Sequence, residues 1–258
     1  MGPSAALLTI DFARRDVLAQ YRASFLGPVW IFLNPALTLL IYTVVFSGVL
    51  GVRLSGKAGF VDYAMSLSAG FLMYHFFSRI ILDAPGLIAG HSYYVKKVIF
   101  PAQTLVWSKV LVELVSLLAG LAVLFALFWV RDGALPMTAW SLPFLLAPGV
   151  CFAAGVAFLF SAAGVYFPDL KELVKPFLQV LFYLSPIIYP ISLLPERARF
   201  WVWLNPVTWM TVPARDALTL GVLPDGGSFA VFCLCALAVM GLGLYVFSKA
   251  RPGFSDVL

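Results

Sequence analysis

The sequence predicts an all-α integral membrane protein. It should have six transmembrane helices, an N-terminal amphipathic interfacial helix, and re-entrant helices between the fifth and sixth spans. Three observations lead there. Hydrophobic residues make up 62% of the 258 residues and charged residues 11%, whereas soluble domains carry roughly 45–50% and about 25%. So short a chain has no soluble core large enough to hide that apolar surface. Six stretches approach the roughly 20 apolar residues needed to cross the hydrocarbon, and the short alternating runs of a β-barrel are missing.

The first element, residues 1–26, is an interfacial helix. On a helical wheel Leu7, Ile10, Val17, Leu18, Tyr21 and Phe25 fall within one arc. Asp11, Arg15 and Arg22 lie beside that arc, and Arg14 sits inside it. Such a helix lies in the membrane surface, with Arg14 snorkelling to the headgroups. The alternative is a short soluble helix. The stretch lacks the basic start and long apolar run of a signal peptide. The transmembrane domain follows at 27–258. Gly27 stops the surface helix and Pro28 opens the next, the usual glycine-after, proline-first asymmetry.

The first span, 28–50, contains FLNPALTLL and has no charge before Arg53. Pro35 lies seven residues beyond Pro28, where it removes one backbone hydrogen bond and should kink the helix. The other spans are 63–82, 104–130, 142–167, 176–194 and 228–248. Within them Arg79, Lys109 and Glu113 are ionisable, and Asp62 and Asp83 lie near span ends. Arg79 and Glu113 are each close enough to an end to snorkel or to form a structural pair. Between spans two and three, the coupling loop 84–103 is too polar to span and too apolar for a disordered loop. Ile88, Tyr93, Tyr94, Val95, Val98 and Ile99 make one face of a short helix closed by Pro101, with Lys96 and Lys97 outward. Two readings stay open: a solvated loop with positive-inside charges, or a docking helix for a cytoplasmic partner.

The region 196–224 contains FWVWLNPVTWMTV, dense in tryptophan and broken by Pro206 and Pro213. An apolar run of about 10–14 residues reads as interfacial or re-entrant, and tryptophan favours the headgroup boundary. Loop lysines and arginines set the topology. With the N-terminus inside, Arg14, Arg15, Arg22, Lys96, Lys97, Lys171, Lys175, Lys249 and Arg251 are cytoplasmic. Arg53, Lys57, Arg131, Arg197, Arg199 and Arg215 are outside. The bias of nine to six favours both termini in the cytoplasm. The net charge of +5 reports this topology rather than nucleic-acid binding.

Chemistry-bearing motifs are missing. There is no GxxxxGK[ST] phosphate loop, dinucleotide fingerprint, HExxH or nucleophile elbow. Cys151, Cys233 and Cys235 lie in apolar runs without metal-ligand spacing. No chain of midplane carboxylates is present to relay protons or sodium, which weakens a secondary transporter. Asp169 and Glu172 make at most a solvated acidic face. The chain reads as a transport subunit rather than an enzyme, the membrane half of a machine whose energy source lies elsewhere.

Several stretches resemble the membrane subunits of type 2 ABC exporters for bacterial surface glycopolymers, the O-antigen, teichoic acid and capsular polysaccharide family. Residues 14–51, RRDVLAQYRASFLGPVWIFLNPALTLLIYTVVFSGVLG, carry the basic surface helix, Tyr-Arg, Leu-Gly, Trp and a later Pro. VKKVIFPAQ (95–103) is similar to the family's coupling helix, and YLSPIIYP (183–190) and LNPVTWMTVPARDAL (204–218) continue the pattern in order. The chain departs from it at Pro168, where an arginine is expected, which removes the ground for an Arg-based contact there. It departs again at His91-Ser92, where the family pattern has asparagine.

The resemblance implies a homodimer of six-helix subunits in the bacterial inner membrane, bound to two cytoplasmic ATPase subunits. No cofactor is expected in this chain; ATP and Mg sit on the partner ATPase. The substrate implied is an undecaprenyl-diphosphate-linked glycan. Arg14, Arg15 and Arg22 are the candidates for its diphosphate, since arginine offers a planar fork to phosphate oxygens; anchoring to membrane lipids is the alternative. Leu26, Gly27, Pro28 and Pro35 form the candidate gate. Trp30, Phe32, Tyr42, Phe182 and Tyr183 are candidates for an aromatic glycan path. His91, Tyr93, Tyr94, Lys96, Lys97, Phe100 and Pro101 are candidates for coupling to the ATPase. Competing functions are a drug or small-lipid exporter of the same architecture and a membrane-embedded enzyme on lipid-linked sugars.

Overall fold

The computed structural model describes residues 3–21, 24–45, 60–96, 100–189, 191 and 194–258. The described residues are helical or in turns, without strands. The helices are α1 (Pro3–Tyr21), α2 (Trp30–Thr43), α3 (Phe60–Leu87), α4 (Ser92–Val95), α5 (Gln103–Asp132) and α6 (Leu142–Tyr166). They continue with α7 (Leu170–Leu184), α8 (Glu196–Leu204), α9 (Pro206–Leu220), α10 (Gly226–Ala250) and α11 (Phe254–Val257).

Four helical stretches are long and apolar enough to cross a membrane: Val61–Leu87, Gln103–Asp132, Met137–Tyr166 and Gly226–Val257. They coincide with four of the six predicted spans, to within one residue where 142–167 stops at Tyr166. The predicted first span is helical over α2 and runs on past Val45 into residues outside the described set. The fifth differs from its predicted bounds of 176–194. Its helix starts earlier, at Leu170, and stops at Leu184. Pro186 explains the stop, because the residue before a proline is driven out of the helical region; Ser185 is extended, with ψ 137°. Fifteen residues make a helix of about 22 Å, short of the roughly 30 Å hydrocarbon.

α3 is the hub. It packs against α2, α5, α6, α7 and α9. Its tyrosines fasten α7 and the segment after it: Tyr74 Oη donates to the Leu178 carbonyl at 2.6 Å, and Tyr63 Oη to the Ile188 carbonyl at 3.1 Å. α6 lies between α3 and α10, and glycines let the backbones touch. A Cβ on Gly164 would run into the Pro85 carbonyl, and one on Gly243 into the Gly155 carbonyl. Membrane helices associate through such close packing, since lipid tails remove the hydrophobic drive between them.

α1 lies across α5. Its inner face is Thr9, Phe12 and Ala13. The predicted apolar arc points the other way: Leu7, Ile10 and Leu18 are exposed, and so is Phe25 just beyond the helix. At the opposite end of the bundle, α8 and α9 meet at Asn205, an N-cap whose Oδ1 accepts from the Val207 amide at 3.0 Å. Pro206 takes the first helical position, where a missing N–H costs nothing.

Candidate functional site: a polar seam from the α1 end into the bundle

The turn before α2 follows the predicted grammar. Gly27 has φ +52°, a left-handed conformation that suits glycine, and its amide donates to the Ser24 carbonyl at 3.1 Å. Pro28 then stands in the first turn of the helix that continues as α2. Leu26 is exposed. Pro35 lies inside α2, so the Ile31 carbonyl receives no amide hydrogen bond from position 35.

Behind Pro35 is a cavity of about 100 Å³ bordered by Asn34 and Thr38 of α2, His75 and Arg79 of α3, and Glu113 of α5. Four of the ionisable residues read singly from the sequence meet beside it, Arg79 and Glu113 on its wall and Asp83 and Lys109 lining a second hollow. Lys109 Nζ lies 2.6 Å from Asp83 Oδ2 and 2.6 Å from Glu113 Oε1, and Arg79 Nε is 4.0 Å from Glu113 Oε1. The Glu113 side chain is 3% exposed, so it needs these partners: an unpaired buried carboxylate is costly. Snorkelling therefore does not describe Glu113; the structural pair does. Asp62 is paired as well, 2.5 Å from Arg131.

Of the headgroup candidates, Arg14 is exposed. Arg15 lies 4.5 Å over the Phe12 ring and donates to Tyr94 Oη at 3.3 Å. That hydrogen bond holds the guanidinium above its ordinary pKa. Arg22 is outside the described residues, as is Lys97 of the coupling set. α4 is a single helical turn, and Val98 and Ile99 of the docking helix expected from the sequence lie outside the described residues. Phe12, Tyr94 and Phe100 form an aromatic triangle with centroids 5.4, 5.7 and 5.6 Å apart, tying α1 to the coupling segment. Tyr93 is exposed and stacks edge-on against Tyr94. His91 Nδ1 meets the Leu87 carbonyl at 2.9 Å. Lys96 is exposed, and Pro101 half-buried.

The aromatic path candidates split. Phe32 and Tyr183 are exposed, and Trp30 is half-buried. Phe182 packs against Tyr74 and Phe71, with centroids 4.9 and 6.3 Å apart. The side chain of Tyr42 is outside the described set. α2 packs on α3 and α5, and α7 on α3; Phe71 of α3 borders the cavity behind Pro35 and also meets the Phe182 ring.

The opposite end holds residues that sequence reasoning underused. Arg215, counted as an outer loop charge, is 6% exposed. Its Nη1 donates to the Pro186 carbonyl at 2.7 Å, and its Nε to Asp216 at 2.9 Å. It bridges backbone and cannot count as a solvated topology signal. Asn205 Nδ2 donates to Ser185 Oγ at 2.8 Å. An Asn-Pro pair opening an apolar run is an N-cap signature, the signal that could have placed Asn205.

Comparison with known proteins agrees with this architecture. Residues 11–219 match the ABC-2 type transporter family model. The chain is similar to the O-antigen export system permease protein RfbA of Klebsiella pneumoniae, 25% identical over 97% of this chain and 95% of the relative. It is 26% identical to the protein of the same name from Myxococcus xanthus, over 96% of this chain and 94% of that one. The polysialic acid transport protein KpsM of Escherichia coli is 23% identical over 90% and 89%.

Proposed function

The chain belongs to the ABC-2 type transporter family, and from that premise we propose that it is the permease subunit of an ATP-driven polysaccharide exporter. The cargo is an O-antigen-like or capsule-like glycan on undecaprenyl diphosphate, moved across the bacterial inner membrane. The observation that carries this reading is the end-to-end similarity to proteins named O-antigen export permease, covering 97% of the chain. Energy comes from two cytoplasmic ATPase subunits holding ATP and Mg.

In this reading the four long helices are joined by α2 and α7 as shorter spans, six in all, with both termini cytoplasmic. α8 and α9 form the re-entrant pair, held by Asn205 to α7 and by Arg215 to the segment just after it. α1 lies in the inner membrane surface with its exposed apolar arc in lipid. Arg14, Arg15 and Arg22 receive the diphosphate. Two copies face each other across a channel to which each contributes α2 and α7. Trp30, Phe32 and Tyr42 then meet Phe182 and Tyr183 across the dimer. Leu26, Gly27 and Pro28 form the inner gate, and Pro35 bends α2.

The test is ATP hydrolysis by the complex in proteoliposomes. A lipid-linked glycan should stimulate it, and hydrophobic drugs should not. Stimulation by drugs alone would assign a small-molecule exporter of the same architecture. Turnover of a lipid-linked sugar by this chain without an ATPase would overturn the reading. Pro35→Ala should preserve membrane insertion and lower export; full export would remove the bend from the mechanism.

A further inference from the structure

We propose that a hollow between α8, α9 and the start of α10 binds uncharged sugar residues, so that the emerging glycan meets it after leaving the channel. This rests on the exporter reading above, which puts this end of the bundle on the outer side. The hollow measures about 560 Å³, within the roughly 300–1,000 Å³ of small-molecule sites. Trp203, Trp209, Asp216, Asp225, Ser228 and Phe229 are among the residues that line it. Among the described residues its lining takes none from α2 or α7, so it is separate from the aromatic path candidates.

Its aromatic wall is built in advance of any ligand. The Trp209 ring stacks on Phe232, with centroids 6.4 Å apart and planes 16° apart. Trp209 Nε1 donates to the Trp203 carbonyl at 2.8 Å. The Trp203 ring lies 5.0 Å from the Trp209 ring at an angle of 59°, and Trp203 is 37% exposed. Trp209 thus steadies Trp203, and Trp203 keeps open surface. A broad ring with two torsions offers contact area at low entropic cost.

The polar lining selects the occupant. Asp225 Oδ2 accepts from the Ser228 amide at 2.9 Å, and Asp216 Oδ1 from Arg215 Nε at 2.9 Å. A carboxylate offers about four lone-pair sites, so both keep acceptor capacity. Hydrogen bonds from Ser228 and Gly227 hold Asp225 below its ordinary pKa, which keeps it ionised and able only to accept. It therefore calls for hydroxyl donors. Among the described lining residues there is no lysine, arginine or histidine. A phosphate or an acidic sugar would meet two carboxylates and no cation, a repulsive element that sets specificity. An uncharged pyranose matches both parts of the wall, with hydroxyls at its edge for the carboxylates and an apolar C–H face for the indole. A glycan segment held here would resist sliding back into the channel.

The test is saturation-transfer NMR on the permease in lipid nanodiscs. The probes are oligosaccharides of glucose, galactose, mannose and rhamnose, with oligosialic acid as the acidic probe. At least one uncharged probe should bind, and oligosialic acid should bind about tenfold more weakly or less. Trp203→Ala should weaken the uncharged probe about tenfold. Trp203→Phe keeps a ring and should lose about threefold, which keeps the test decisive if Trp203→Ala folds poorly. Absence of binding by every uncharged probe overturns the proposal, and so does equal binding of oligosialic acid. So does binding by both Trp203 variants equal to wild type. A Trp203→Ala variant that keeps its sugar and instead releases phosphatidylethanolamine also overturns it, making the hollow a headgroup site. ATPase stimulation of the wild-type complex by a lipid-linked glycan separates the two readings. Stimulation without sugar binding removes this site alone, and loss of both removes the exporter reading as well.

Discussion

α3 and α10 are both long enough to span a membrane, yet 78% of the α3 span is buried and only 17% of the α10 span. α3 is the more polar of the two. It carries Asp62, His75, Arg79 and Asp83, whereas α10 has no charge before Lys249. A water-soluble bundle would sort them the other way. Lipid reverses the rule because tails solvate Leu234 and Leu237 of α10 at no cost, while charge must find protein partners. The polar helix is therefore the hub and the apolar helix the flank.

The largest expected effect lies on the hub. Glu113→Ala removes one of the two carboxylates on Lys109 and leaves that ammonium, 11% exposed, with Asp83. Breaking a buried pair this way should cost about 3 kcal/mol, read as a lower midpoint of thermal unfolding in detergent. Leu237→Ala on the exposed face of α10 should change the midpoint little, within about 0.5 kcal/mol. Equal effects at the two sites would break the contrast between hub and flank.

A second pair sharpens the contrast within α10 itself. Gly243 is buried against Gly155, so an added methyl there must push two backbones apart. Gly241 has open space where its Cβ would go. Gly243→Ala should destabilise by about 1–3 kcal/mol, and Gly241→Ala should be neutral or slightly stabilising, as alanine favours helix. Measured midpoints that fail to separate the two would mean that the α6–α10 contact is not held by this close approach.

The same contrast explains what the sequence disclosed. Apolar length needs no partner, so α5, α6 and α10 could be read directly, and so could the Gly27-Pro28 boundary. That the N-terminal segment is a helix was legible too, although its inner face, Phe12 and Ala13, fell outside the arc that drew attention. Pairing across the bundle was not legible. Asp83, Lys109 and Glu113 are ordinary residues one by one, and only the α3–α5 packing makes them a network. Arg215 passed as a loop charge because a sequence does not show which carbonyl an arginine will meet. α7 was misplaced because its start is amphipathic, with Leu170, Val174 and Leu178 inward among lysines and a glutamate, so hydropathy missed its first turn.

The smallest effect concerns how the flanking helix begins. Asp225 caps α10, its Oδ2 accepting from the Ser228 amide at 2.9 Å. That hydrogen bond holds the carboxyl below its ordinary pKa. A group depressed in the folded state stabilises fully above its unfolded value, about 3.9. The contribution fades as pH falls through the folded value. Asp225→Asn keeps a capping oxygen but cannot titrate. The unfolding midpoint of wild type minus that of Asp225→Asn should therefore hold steady above about pH 5 and shrink toward pH 3. A difference that stays flat over that range would mean that the cap adds no pH dependence. The start of α10 would then owe its pH-independent hold to the cap's hydrogen bond and to packing on α6 and on Trp209 of α9, making the flank still less dependent on charge than the hub.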